Sequence, residues 1–373
     1  MSWESIRRCA AGALAVGACS ALAAPGASAS VPSKFFGIFA EAPAASEFEE
    51  MAAAGFRTYR LPVNWARVQP TRHGGYEFDR VDHQIIALGK AGMRALPVVY
   101  GTPPFVHAPP ENPGERVELH PPVRRADLVE WRRFNAALAR RYGPHGKLAR
   151  DPALTGYRPV RSWIIWNEQN ATFNWQPRPK PRQYARLVKF AHAGLTRVNR
   201  RAEVVLGGMF GFPLASRSIN AARYLRQLYR VRRFKRRFDA VNVHPYAASA
   251  ALAIDQIRNA RSVMKRAGDR RTPIIVGEIG WSSFAVGQDG QARRHATFLR
   301  RIIARRHRWR IEGAFIYVWR DIDTVTSCFW CPTAGLVAVD GAPKPALTKV
   351  SGIIAGATDG GRRPTRSVRG ADP

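Results

Sequence analysis

The stretch Ser162–Asn170 reads SWIIWNEQN, an apolar run that ends abruptly in an amide, an acid and two more amides. A second apolar run, TPIIVGEIGW, carries a single acid, Glu278, near its end. Glu168 and Glu278 are the residues best suited to chemistry, and a pair of carboxyl groups suits cleavage of a glycosidic bond. One acid protonates the leaving oxygen. The other attacks the anomeric carbon, and water then hydrolyses the glycosyl-enzyme. The two need different proton affinities. Glu168 follows an apolar segment, so desolvation is expected to raise its pKa and let it donate a proton. Glu278 is expected to stay ionised if Arg60, His244 and Tyr246 reach it. Asn167 can bind a sugar hydroxyl. Trp65, Tyr100, Trp175, Trp281 and Trp319 offer flat apolar faces on which pyranose rings stack.

Such acids act together only if strands bring them to one place. Short apolar runs alternate with amphipathic segments along the chain. FFGIFA, FRTYRLPV, RALPVVY, SWIIW, EVVLGGM, DAVNVHPY, TPIIVGEIGW and GAFIYVW read as eight strands. Segments such as ADLVEWRRFNAALARRYG, QYARLVKFAHAGLTRV and QARRHATFLRRIIARRH between them have helical spacing. Eight such units predict an α/β fold, a (β/α)8 TIM barrel, as a single catalytic domain over residues 31–357. An open doubly wound sheet would carry a Gly-rich phosphate turn after its first strand, and FFGIFAEAP has none. In the barrel the site lies at the C-terminal ends of the strands, and strands four and seven face each other. The strand ends supply Arg60, Asn64 and Trp65, then Tyr100, then Asn167 and Glu168. His244 and Tyr246 follow, then Glu278 and Trp281, and finally Trp319, Arg320 and Asp321.

The 373 residues are 46% hydrophobic, ample for a large core, and carry a net charge of +32. Arginines occur in every segment. The charge is therefore expected to spread over solvated helix faces. Attraction to anionic cell-wall polymers or acidic sugars is the second reading, and no specific nucleic-acid partner is expected. The first 30 residues read as a signal peptide: Arg7 and Arg8, a small-residue apolar run, and cleavage options such as Ala27–Ala29. A secreted protein with no transmembrane segment in its mature chain follows. The sequence VGAC ending at Cys19 loosely matches a bacterial lipobox, which would make Cys19 a lipid anchor. Two of the four cysteines, Cys328 and Cys331, remain after the leader, in CFWC. A lone CxxC lacks the further ligands zinc needs, so a local disulfide is the better reading. Residues 358–373 are polar, rich in Gly, Arg and Pro, and read as a disordered basic tail.

WNE closing a fourth strand and an isolated Glu closing a seventh resemble the clan A glycoside hydrolases, retaining β-glycosidases on a (β/α)8 barrel. YRLPVNWARVQPTRHGGYEFDRVDHQIIALGKAGMRALPVVYGTPPF is similar to the second and third βα units of families five and thirty-nine. WNEQNATFNWQPRPKPRQYARLV resembles their acid/base segment, VNVHPY their sixth strand, and GLVAVDGAPKPAL the segment after their eighth. The likeness spans Phe35 to Leu347. It implies Glu168 as acid/base, Glu278 as nucleophile, and Arg60, Asn167, His244 and Tyr246 as supports. Gln169 stands where many relatives have Pro, and Phe105 where many have Trp, so the sugar is left open.

The reaction needs no metal and no organic cofactor, because two carboxylates suffice. The partner is an oligo- or polysaccharide, and a monomer is expected. The rival reading is a catalytically inactive barrel that binds carbohydrate or cell wall, and the presence of both acids argues against it. Taken singly, Arg60 could be a structural ion-pair partner, His244 a core histidine, and each tryptophan core packing.

Overall fold

In the computed structural model, which describes residues 30–106, 116–213, 215–323, 328 and 330–359, all the strands run parallel in one sheet. In chain order they are β1 (Phe36–Phe39), β2 (Thr58–Asn64), β3 (Arg94–Tyr100), β4 (Ser162–Ile165), β5 (Glu203–Leu206), β6 (Met209–Phe210), β7 (Val241–His244), β8 (Ile274–Ile279) and β9 (Ile311–Tyr317). The sheet order is β5-β4-β3-β2-β1-β9-β8-β7-β6. β5 and β6 are two halves of one barrel strand, separated by Gly207 and Gly208. The first half pairs with β4 and the second with β7. A parallel bridge between Val205 and Ala240 joins the ends of the sheet, and Leu206 N donates to Ala240 O at 3.0 Å. The result is a closed eight-position (β/α)8 barrel, as the alternation of apolar runs and helices predicts.

The helices are α1 (Ala45–Ala53), α2 (Trp65–Val68), α3 (Asp79–Lys90), α4 (Arg125–Tyr142), α5 (Pro181–Val198), α6 (Ala221–Tyr229), α7 (Ala250–Arg266), α8 (Ser283–Val286), α9 (Gln288–Trp309) and α10 (Pro345–Thr358). The short helices α2 and α8 are additional to the repeat. Each opens a loop after a barrel strand and is capped by a polar side chain. Asn64 Oδ1 accepts from Ala66 N at 2.9 Å, and Ser282 Oγ accepts from Ala285 N at 3.3 Å. Side chains pointing out of the barrel, among them Leu61, Val63, Trp163, Ile165, Val241 and Val243, merge with the helix faces into the main core. Leu96, Val98, Ile164, Val205, Ala240 and Phe315 fill the cylinder itself. Burial on both faces is why these strands read as unbroken apolar runs.

Because the strands are parallel, their starts share one end of the barrel. Each barrel strand begins at or just after a cation: Lys34, Arg57, Arg94, Arg161, Arg201, Arg237, Arg271 and Arg310. The leader, with Cys19, and the tail beyond Asp359 lie outside the described residues. No helix among the described residues is long and apolar enough to cross a membrane.

Candidate active site

Strict alternation would turn Trp166 into the barrel after Ile164. Instead the chain leaves regular geometry where β4 ends. Trp166 has φ 69° and Glu168 φ 43°, both in the left-handed region that costs a non-glycine residue about 1–3 kcal/mol. The turn sends Trp166 into the core against Trp131 and Trp175 and aims Glu168 at the barrel axis. Glu168 N holds the turn by donating to Gly208 O at 2.9 Å. Its carboxyl is buried. Oε1 lies 2.8 Å from His244 Nδ1, and Oε2 accepts from Asn174 Nδ2 at 2.9 Å.

Glu278 reaches the same place by a different irregularity. Val276 pairs with Ala314, but Ile279 pairs with Ile316, so β8 holds one extra residue against β9. This bulge lets Glu278 face inward while Val276 and Ile279 both stay in the outer core. Arg60 Nη1 lies 2.8 Å from Glu278 Oε1. Its Nη2 donates to Asn167 Oδ1 at 2.6 Å, tying the residue before Glu168 to the second acid. Tyr246 Oη donates to Glu278 Oε2 at 2.6 Å, and His244 Nδ1 lies 3.4 Å from the same oxygen. His244 therefore stands between the two acids and is nearer to Glu168, whereas the sequence suggested that it would serve Glu278.

An oxygen of Glu168 and one of Glu278 lie within 4.8 Å of each other and of a ring nitrogen of His244. The environments push the two carboxyls apart. Burial raises Glu168, and the bond from His244 only partly offsets it. Burial pushes Glu278 up as well, but Arg60, His244 and the Tyr246 hydroxyl together hold it below the ordinary carboxylate value. Glu41, just past β1, is raised by partial desolvation of its carboxyl and by the nearby charge of Glu278. Two carboxylates and a histidine at this spacing could also be considered for a divalent cation. The donor chemistry fits poorly. A guanidinium already contacts Glu278 Oε1, Tyr246 donates to its Oε2 and Asn174 to Glu168 Oε2, so both carboxyls are already engaged by donors and a positive charge adjoins.

The break in the fifth barrel strand makes room for this cluster. A Cβ on Gly208 would stand 1.8 Å from His244 Nε2, so only glycine leaves space for the imidazole. Gly207 N donates to Tyr184 Oη of the helix layer at 2.7 Å.

The aromatic surfaces are not the ones the sequence nominated. Trp65 is fully buried. Its Nε1 donates to Gln69 Oε1 at 2.8 Å, and its ring packs on Trp131 and Phe134. It follows an inward residue, Asn64, so alternation turns it to the helices. Trp281 donates to Ala247 O at 2.8 Å and packs on His295 and Phe298. Trp319 and Trp175 are likewise core. Tyr100 is half-buried and belongs to the packing inside the cylinder at the mouth end. Arg320 pairs with Glu47 at 2.9 Å and Asp321 with Lys344 at 2.9 Å, both structural contacts. The rings beside the acids are Tyr246, Tyr317 and Trp330. Trp330 lies 4.7 Å from Tyr246 and 5.7 Å from Tyr317, and Phe39 stacks on Tyr317 at 5.6 Å. Trp330 is carried on the loop closed by the Cys328–Cys331 disulfide. Phe39 and Tyr317 had a signal in the sequence, since each ends a strand. Asn174 and Trp330, deep in loops, had none.

No family model matches the chain, and no curated protein matches it. Solved structures do. One is a family 39 glycoside hydrolase from the gut symbiont Bacteroides cellulosilyticus WH2, 18% identical, with a TM-score of 0.64 over 87% of this chain. This chain spans 64% of that protein's length. Another is a monomeric β-xylosidase from Caulobacter crescentus CB15, 14% identical, with a TM-score of 0.64 over 87% of this chain and 69% of the other. A third is a GH5_18 protein from Bifidobacterium longum subsp. infantis, 16% identical, with a TM-score of 0.63 over 86% and 78%. At these identities the likeness establishes the fold, a (β/α)8 barrel of the kind found in family 39 and family 5 glycoside hydrolases.

Proposed function

We propose that the protein is a retaining β-glycosidase, with Glu168 as acid/base and Glu278 as nucleophile. The observation that carries this reading is the separation of the two acids. An oxygen of each lies within 4.8 Å of one of the other, close spacing that favours the double-displacement mechanism over the wider gap that admits a water. Their opposite pKa directions support the same division of roles. Glu168, kept protonated by burial, donates to the leaving oxygen. Glu278, kept ionised by Arg60 and Tyr246, attacks the anomeric carbon. Glu168 then takes a proton from the water that releases the sugar. Asn167, half-buried and held by Arg60, is the residue that meets the sugar 2-hydroxyl in this reading. Phe173, Phe212 and Phe284, exposed by 43%, 56% and 88%, all lie in segments that follow barrel strands, and so stand at the mouth. They favour a polymer or oligomer over a monosaccharide glycoside as substrate.

Chemical rescue tests the assignment. Glu278→Gly with azide and an activated aryl β-glycoside should give the α-glycosyl azide. Glu168→Ala with azide should give the β-azide. Hydrolysis that survives in both Glu168→Gln and Glu278→Gln would exclude these roles.

A further inference from the structure

The end of the barrel opposite the two acids has a feature that glycoside cleavage does not use. We propose that this face binds an unbranched anionic polysaccharide bearing repeated carboxylate groups. Two concavities open there. One, of about 400 Å³, is lined by Lys34, Arg57, Arg94 and Arg158. The other, of about 430 Å³, is lined by His145, Arg161, Arg200 and Arg201. Neither lining contains an acidic residue. Some helix-surface arginines meet acids: Arg133 pairs with Glu130, and Arg258 with Asp255. Among the described residues none of the lysine or arginine heads of the two concavities is in such a pair, and all but Arg57 are exposed. Arg57 is the fixed member, since its guanidinium donates to the carbonyls of Ala52 and Phe56.

Like charges gathered with no acid in either lining repel, and a bound anion relieves that repulsion. Guanidinium forks match carboxylates two bonds at a time. Apart from His145, no aromatic ring lines either concavity. Single-stranded nucleic acids are held on stacking platforms, and neither concavity offers one beyond the His145 ring. The exposed phenylalanines lie at the other end. A glycan held here leaves the mouth free, so the inference stands apart from the catalytic reading.

The test measures binding of fluorescent polygalacturonate to the full chain at low ionic strength. One variant combines Lys34→Gln, Arg94→Gln, Arg158→Gln, Arg161→Gln, Arg200→Gln and Arg201→Gln. A control removes the same charge from exposed helix positions: Arg182→Gln, Arg186→Gln, Arg223→Gln, Arg226→Gln, Arg300→Gln and Arg301→Gln. The first set should weaken binding at least ~10-fold and flatten its salt dependence, and the control should stay within ~3-fold. Two three-site halves of the first set, each with a smaller loss, cover the case in which the six-site protein does not fold. Equal losses in both sets would mean diffuse charge and overturn the proposal. So would no loss in either, or displacement of polygalacturonate by single-stranded DNA at lower charge concentration.

Discussion

Tyr246→Phe isolates one contact of the proposed nucleophile. The hydroxyl donates to Glu278 Oε2 at 2.6 Å, while the ring packs against Phe210, Tyr317 and Trp330. The substitution keeps that packing and removes only the donor. A hydrogen bond to a buried charge is worth about 1.5–3 kcal/mol, or roughly 10–150-fold in an equilibrium or rate. Arg60 still faces Glu278 at 2.8 Å, so ionisation is weakened and not abolished. The sign follows from the burial. With one stabilising donor gone, desolvation counts for more, and the carboxyl of Glu278 rises. The acidic limb of kcat/KM against pH should therefore move toward neutrality, and kcat/KM at the wild-type optimum should fall about 10–150-fold. The alkaline limb, set by Glu168, should move less. The assay is a pH series with an aryl β-glycoside on both proteins, beside a thermal melt. An acidic limb that stays in place with kcat/KM within about twofold would refute the reasoning, because the shortest bond to Glu278 would then do nothing for it.

Three other perturbations read different parts of the site. Gly208→Ala puts a Cβ 1.8 Å from His244 Nε2, so the ring must leave Glu168 and kcat should drop on the order of 100-fold. Gly75→Ala, where a Cβ meets open space, should leave kcat unchanged. Glu168→Gln should remove the alkaline limb of the pH profile. It should also alter stability with a definite sign. The folded-state pKa of Glu168 is raised, so its contribution is fully present below the ordinary carboxyl value and is lost as pH rises through the raised one. The melting temperature of the glutamine variant should therefore gain on wild type as pH increases over that range, and melts across pH will show whether it does. Trp330→Ala should raise KM by about threefold to tenfold with little change in kcat, the scale of one aromatic contact, if the ring is a sugar platform.

The repeat of the fold and the meeting of Glu168 and Glu278 at one end of the barrel were legible in the sequence because they rest on long apolar runs and on polar residues that end them. Positions after a strand were harder. Trp65, Trp281 and Trp319 share composition with sugar platforms, but side is decided by alternation and by the helix layer, and all three point into the core. Glu278 illustrates the reverse. Plain alternation from Val276 and Gly277 would not have put it inside, and a one-residue bulge does. The split at Gly207 and Gly208 reads as part of one continuous strand until its two halves are seen pairing with different neighbours. The basic face escaped notice for a related reason. Its cations are scattered along the sequence, one before each strand, and only parallel closure gathers them.

That split leaves the barrel with a seam. Between β5 and β7 the hoop is closed by the Val205–Ala240 bridge and by the bonds from Leu206 N to Ala240 O and from Asp239 N to Val204 O, while β4 and β5 pair over four residues. The seam also carries the carbonyl of Gly208, which anchors the backbone of Glu168, and the floor on which His244 rests. Breathing of the hoop and loss of the acid's alignment are thus a single motion. Amide exchange at Leu206 and Glu168 should keep a common pace, and a sugar that bridges Glu168 and Glu278 should slow both together.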